Sequence, residues 1–167
     1  MYYSQIRKMD ISNGEGLGVS LFVSGCPFHC PNCFNKETWD YNYGKPWTEE
    51  SKQEFLSLLK NPRIKRVTIL GGEPMADDNA LEVRNLLREI RVNYPDKKIW
   101  LYSGYTYEKL LDNETKRSCL GYVDYLVDGL YIHELRDMKL KYRGSSNQRI
   151  IDVRASMRYG CACNKLV

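Results

Sequence analysis

Nowhere does the chain carry the roughly 20 consecutive apolar residues that a membrane helix needs. The first ten residues, Met1 to Asp10, are polar and hold no apolar segment of the kind an export signal uses. These two absences predict a cytoplasmic protein with no membrane role. Charge of one sign is missing too: 25 Lys and Arg face 21 Asp and Glu, interspersed, for a net charge of +4. Such a surface is an ordinary solvated one and predicts no nucleic-acid partner. Internal repeats, low-complexity tracts and linkers are absent as well, which leaves a single domain over 1–167.

What is present begins with size. A chain of 167 residues with 43% apolar content can bury one core. Six cysteines in a chain expected in a reducing compartment point to metal ligands or free thiols rather than disulfides. Three of them, Cys26, Cys30 and Cys33, crowd together; Cys119 stands alone; Cys161 and Cys163 lie in a segment, about 155–167, that reads as a flexible tail with exposed thiols.

The pattern of apolar residues predicts strands at Val19–Val23, Val67–Leu70, Ile99–Ser103, Val123–Val127 and Ile150–Val153. Between them come a helix capped by Thr48 and running to about Lys60, a helix capped by Asp77 or Asp78 that carries Leu81, Leu86, Leu87 and Ile90, and a short helix over Tyr107–Leu111. Thr38–Trp47 and Asp137–Gln148 read as long surface loops. Alternating strands and helices imply an α/β fold with a mostly parallel sheet. A full eight-unit barrel needs roughly 250 residues, so the expectation is a partial, open (β/α) barrel of roughly four to six strands. An open flank would admit a large substrate to the carboxyl ends of the strands, where α/β sites gather.

The chemistry centres on Cys26-Pro27-Phe28-His29-Cys30-Pro31-Asn32-Cys33, a C-x3-C-x2-C motif directly after a strand. One loop with these spacings can wrap three thiolates around a cubane iron-sulfur cluster. Three protein ligands leave one iron open, the mark of a catalytic rather than a closed structural site. A structural zinc is the competing reading, with a fourth ligand from His29, Cys161 or Cys163. A second motif, Gly71-Gly72-Glu73-Pro74, ends the following strand; its glycines permit close backbone approach to a ligand and Glu73 offers a charge suited to an ammonium group.

The cysteine spacing resembles the signature of the radical S-adenosylmethionine superfamily, and Gly71-Gly72-Glu73 resembles its GGE motif. That resemblance implies a [4Fe-4S] cluster on Cys26, Cys30 and Cys33 as the catalytic and metal-ligating residues. It implies S-adenosyl-L-methionine as the second cofactor, its amino group held by Gly71, Gly72 and Glu73. One departure is Asn32, where the superfamily commonly has an aromatic residue; the aromatic here follows as Phe34.

Further segments resemble one family, the activating enzymes of the anaerobic ribonucleotide reductase: Asn13-Gly14-Glu15-Gly16, Cys33-Phe34-Asn35, Thr38-Trp39, Ser103-Gly104-Tyr105, Val127-Asp128-Gly129 and Arg143-Gly144-Ser145-Ser146-Asn147-Gln148. Glu15 stands where that family usually has proline. The implied reaction is reductive cleavage of S-adenosylmethionine to a 5'-deoxyadenosyl radical, which takes hydrogen from a glycine of the large reductase subunit. A glycine α-radical is stabilised by its flanking amides, so a primary carbon radical makes it downhill, provided water and stray groups are excluded. The resemblance further implies an electron donor of flavodoxin or ferredoxin type and leaves a homodimer open.

Other expectations concern single residues. Ser103 and Asp128, at strand ends, are placed to hydrogen-bond ribose or methionine groups; each is as readily a polar strand terminus. Asn32 and Phe34 flank the last ligand and are candidates for the adenine. His29 is expected to face solvent or donate to sulfur, not to ligate. Arg143–Gln148 could contact cofactor or reductase, an ordinary surface loop being the default. Two alternatives stay open: a radical enzyme acting on another glycyl-radical enzyme or a small molecule, and a zinc-stabilised binding module without catalysis.

Overall fold

The run Gly18-Val-Ser-Leu-Phe-Val23 is buried at every position, as a strand covered on both faces must be. It forms β2 of a seven-stranded sheet in the computed structural model, which describes residues 1–165. Parallel to it, in order, lie β4 (Arg66–Gly71), β5 (Lys98–Ser103) and β6 (Tyr125–Asp128). Antiparallel strands flank this centre. β1 (Tyr2–Asp10) pairs with β2, β3 (Lys45–Pro46) with β1, and β7 (Arg149–Asp152) with β6. The order β3-β1-β2-β4-β5-β6-β7 leaves β3 and β7 at opposite ends of an open sheet.

Seven strands exceed the four to six expected. The polar N-terminus, for which no strand was predicted, is β1: its side chains are only intermittently buried, so pairing with β2 rather than an apolar run specifies it. The five predicted strands and three predicted helices appear within a few residues of their expected bounds. Thr48 caps α1 (Glu49–Leu58) by accepting from the Ser51 N–H. α2 (Asp77–Asn93) differs in detail: Ala76 holds the cap position, and Asp77 and Asp78 fall in the first turn, where negative charge suits the helix dipole. α3 spans Tyr107–Leu111, as expected. Two further helices, α4 (Glu114–Leu120) and α5 (Val153–Tyr159), were not predicted; seven residues each give periodicity too little length to register.

The expected tail from residue 155 is different in the structure. Residues 155–159 belong to α5. Beyond it, Asp152 N–H donates to Cys163 O at 2.8 Å and Lys165 N–H to Ile150 O at 2.7 Å, so the segment lies against the edge of β7. Positions 166–167 of that expected tail lie outside the described residues.

The two faces of the sheet have different work. Val19, Leu21, Val67, Ile69, Ile99 and Leu101 point to the helices and merge with Leu86, Leu87 and Ile90 of α2 and Leu110 of α3 in the main core. Alternate residues Phe22, Leu70, Tyr102 and Val127 face the other way and floor a cavity. Below that floor Arg66, wholly buried, donates to Asp10 O at 2.6 Å and Asn13 O at 3.0 Å and pairs with the Asp10 carboxylate at 3.5 Å. A buried charge needs such a shell. Here it ties the Asn13–Gly16 turn to the sheet and carries Ser12 and Asn13 to the cavity wall.

Candidate active site

The cysteine loop starts where β2 ends and is gripped before it reaches its first thiol. Gly25 N–H donates to Thr38 O at 2.8 Å and Cys26 N–H to Trp39 O at 3.2 Å. Thr38–Trp47 is therefore no free surface loop; its first residues buttress the motif, and Thr38 is buried. On the other side, Gly72 N–H donates to Val23 O and Glu73 N–H to Gly25 O, both at 2.8 Å. The buried amide of Asn79 donates to Ser24 O at 2.9 Å and Glu73 O at 3.1 Å. The Asn35 amide donates to Gly71 O at 3.2 Å. The two sequence motifs thus form one unit. Neither Asn35 nor Asn79 was predicted; an amide two positions after the last cysteine was the available signal for the first.

Cys26, Cys30 and Cys33 line a single cavity of about 440 Å³ together with Gly71, Gly72, Glu73 and Ser103. That size falls in the usual range for small-molecule sites, roughly 300 to 1,000 Å³. Burial pushes the Cys26 thiol up to about 11 and also raises Cys30. Free thiolates are thus disfavoured there, and a metal cation is what would bring the ligands to their deprotonated form. The Asn35 N–H donates to Cys33 Sγ at 3.4 Å, a backbone donor already aimed at a ligand sulfur.

The residues fit a cluster with three protein ligands. His29, the first candidate for a fourth, is exposed and stacks on Trp39 with centroids 4.6 Å apart. Cys163 sits by β7, its N–H on Ser156 Oγ at 2.8 Å, and neither it nor Cys161 lines the cavity. Cys119 is core: burial pushes its thiol up to about 12, and its Sγ donates to Thr115 O at 3.3 Å. Among the described residues, then, none of the three side chains considered as a fourth ligand, His29, Cys161 and Cys163, lines the cavity beside Cys26, Cys30 and Cys33.

Four of the residues expected to contact the ligand have the following places. Asn32 takes a left-handed turn conformation at φ 56°, is exposed, and does not line the cavity. Asp128 is buried beneath the cavity wall; its carboxylate accepts the Tyr107 N–H at 2.7 Å and Arg149 Nε at 2.9 Å. The Ser103 hydroxyl does border the cavity, but it donates to Glu73 at 2.8 Å and accepts from the Tyr105 N–H at 3.1 Å. The Glu73 carboxylate, expected to meet an ammonium group, accepts from Met75 N–H at 2.8 Å, Ser103 and Gly104 N–H at 2.6 Å. It locks the end of β4 to the end of β5. Phe34, by contrast, lies at the mouth, exposed, with its ring against Tyr131 at 5.1 Å.

Burial pushes the Glu73 carboxyl from 4.5 to about 7, against the pull of those three donors. A carboxyl with a higher pKa in the folded than in the unfolded chain stabilises the fold fully below about pH 4.5 and loses that contribution as pH rises through 7. The urea midpoint of the apoprotein should therefore fall between about pH 5 and about pH 7.5, with roughly 3 kcal/mol at stake. Glu73→Gln should flatten that slope; an unchanged slope would show that another group sets it.

Comparison with known proteins places this geometry. Residues 12–151 match the family described as a 4Fe-4S single cluster domain. The anaerobic ribonucleoside-triphosphate reductase-activating protein of Vibrio cholerae is 41% identical over 152 residues, covering 90% of this chain and 97% of its own length. The chain belongs to the anaerobic ribonucleoside-triphosphate reductase-activating protein family. The member from Escherichia coli K12 is 38% identical over 92% of this chain and all of its own, and the one from enterobacteria phage T4 is 38% identical over 90% and 93%. Membership of this family makes the chain an activating enzyme built on a 4Fe-4S domain. No helix among the described residues is long and apolar enough to cross a membrane.

Proposed function

We propose that this enzyme cleaves S-adenosylmethionine reductively and uses the resulting 5'-deoxyadenosyl radical to take one hydrogen atom from a glycine of the anaerobic ribonucleotide reductase. The observation that carries the reading is the single cavity that holds Cys26, Cys30 and Cys33 beside Gly71 and Gly72. Three thiolates from this loop would hold a [4Fe-4S] cluster with one iron left for the cofactor's amino and carboxylate groups. When bound and reduced, the cluster supplies the electron that breaks the sulfonium carbon-sulfur bond, releasing methionine.

The chain's own residues bind, orient and exclude. Gly71 and Gly72 bring backbone close to the methionine end, while Glu73 acts on Ser103 and Gly104 rather than on the ligand. Phe34 borders the adenine side at the mouth. The open sheet is of the partial (β/α) barrel type, in one domain, and its free flank receives the reductase loop; docking closes the cavity to water before the radical forms. Electrons come from a flavodoxin- or ferredoxin-type donor, in the cytoplasm.

The test is anaerobic. Protein reconstituted with iron and sulfide, reduced and given S-adenosylmethionine, should release 5'-deoxyadenosine, and added reductase subunit should acquire a glycyl-radical signal. Cleavage with no signal on the reductase would move the reading to another substrate; absence of both cluster and cleavage would end it.

A further inference from the structure

Arg143–Gln148 is not an ordinary surface loop. Gln148 Oε1 accepts from Gly144 N–H at 2.9 Å and Ser145 N–H at 3.2 Å, and its Nε2 donates to Gly129 O at 3.0 Å. Asn147 Nδ2 donates to Leu130 O at 2.8 Å, and the Ile132 N–H donates to the Ser145 hydroxyl at 3.2 Å. Two loops are thereby stitched into one rim. That rim reaches the cluster motif, because the Tyr131 ring lies 5.1 Å from that of Phe34, the residue after Cys33.

Arg143 is held from both sides. The preceding residue, Tyr142, takes a left-handed conformation at φ 60°, rare for a bulky residue, and its carbonyl accepts the Tyr102 hydroxyl at 2.6 Å. The following residue, Gly144, lies so close to Tyr131 that a Cβ there would stand 3.1 Å from its ring. The result is a half-buried guanidinium on the wall of the cavity that holds the three cysteines. Its Nε is buried with no partner, and among the described residues no carboxylate pairs with it. The other cavity arginine, Arg7, leans toward Asp10 at 3.9 Å. The carboxylate on the cavity wall, Glu73, is wholly occupied by its own donors.

An uncompensated guanidinium in a partly buried wall costs free energy unless a ligand supplies the anion. Resting on the reading of the cavity as the S-adenosylmethionine site, the geometry points to Arg143 as the residue that pairs with the ligand's α-carboxylate, with Gln148 as the positioning residue that fixes the loop carrying it. The carboxylate is the ligand's only anionic group. A guanidinium can donate to the carboxylate oxygen that the iron leaves free and so sets which end of the ligand lies toward the cysteines.

The experiment measures binding, not turnover. The anaerobically reconstituted full chain is titrated with S-adenosylhomocysteine, which keeps the carboxylate, and with 5'-methylthioadenosine, which lacks the amino-acid part. Arg143→Gln should weaken the first by about tenfold or more and leave the second within about twofold. Arg143→Lys, which keeps the charge but not the fork, should fall between and provides a second reading should the glutamine variant fail to hold a cluster. Equal loss of both ligands, or no selective loss of S-adenosylhomocysteine, overturns the role of Arg143 while the site itself stands. Wild-type protein that binds neither ligand overturns the site reading and this inference with it.

Discussion

Replacing Cys26, Cys30 or Cys33 by alanine is expected to abolish cluster retention and, with it, release of 5'-deoxyadenosine. In the proposed site each thiol would supply one of three ligands on one loop, and among the described residues the candidate replacements stand elsewhere: His29 is turned onto Trp39, and neither Cys161 nor Cys163 lines the cavity. Two remaining ligands cannot hold three irons, so the loss should be nearly complete rather than graded. Iron and sulfide content, visible absorption and cofactor cleavage should fall together. Cys163→Ala is the control. Its Sγ donates to the Cys161 carbonyl at 3.5 Å, away from the cavity lining, so that variant should keep cluster and cleavage near wild type. A Cys30→Ala protein that still cleaves the cofactor would remove the cysteine loop from the site altogether.

The cysteine motif and the strand before it were readable because both rest on local rules. An apolar run of β-branched and aromatic residues makes a buried strand, and three thiols at fixed spacing need only one loop. The same holds for Thr48 as a cap and for Gly71-Gly72 as a strand-ending turn. What the sequence hid depends on long-range pairing. β1 is polar and becomes a strand by zipping onto β2. Asn79 looks like any helix-start amide until α2 carries it beneath Ser24 and Glu73. Glu73, Ser103 and Asp128 were legible as polar residues at strand ends, but not their partners. All three hydrogen-bond within the protein, because a carboxylate or hydroxyl buried beside neighbouring loops takes the nearest backbone N–H before it can wait for a ligand. Arg143 is the converse: the sequence marked Arg143–Gln148 as a candidate contact segment, but not that Gln148 would stitch the loop and hold Arg143 half-buried, with no carboxylate partner among the described residues.

Gly71→Ala is expected to cost both stability and cluster, and it tests how the two motifs are joined. Gly71 sits at φ +111°, where a side chain is strained. The strain is only part of the cost. A Cβ there would lie 2.6 Å from Val23 O and 2.8 Å from Val23 N, which are backbone atoms of the neighbouring strand and cannot swing aside. Conformational strain and overpacking together should remove about 3 to 5 kcal/mol, a large share of a small domain's stability. Displacing β4 from β2 would also pull Gly72 N–H from Val23 O and Glu73 N–H from Gly25 O, the bonds that set the start of the cysteine loop. Iron uptake should therefore fall even in the fraction that folds. Gly160→Ala separates the causes: that residue also has positive φ, +71°, but a Cβ there meets nothing within 4 Å. Its cost should be about 1 kcal/mol with cluster uptake unchanged. Equal melting temperatures and equal iron content for the two variants would mean that conformation alone matters at Gly71, and that the close backbone contact joining the two motifs carries no energy.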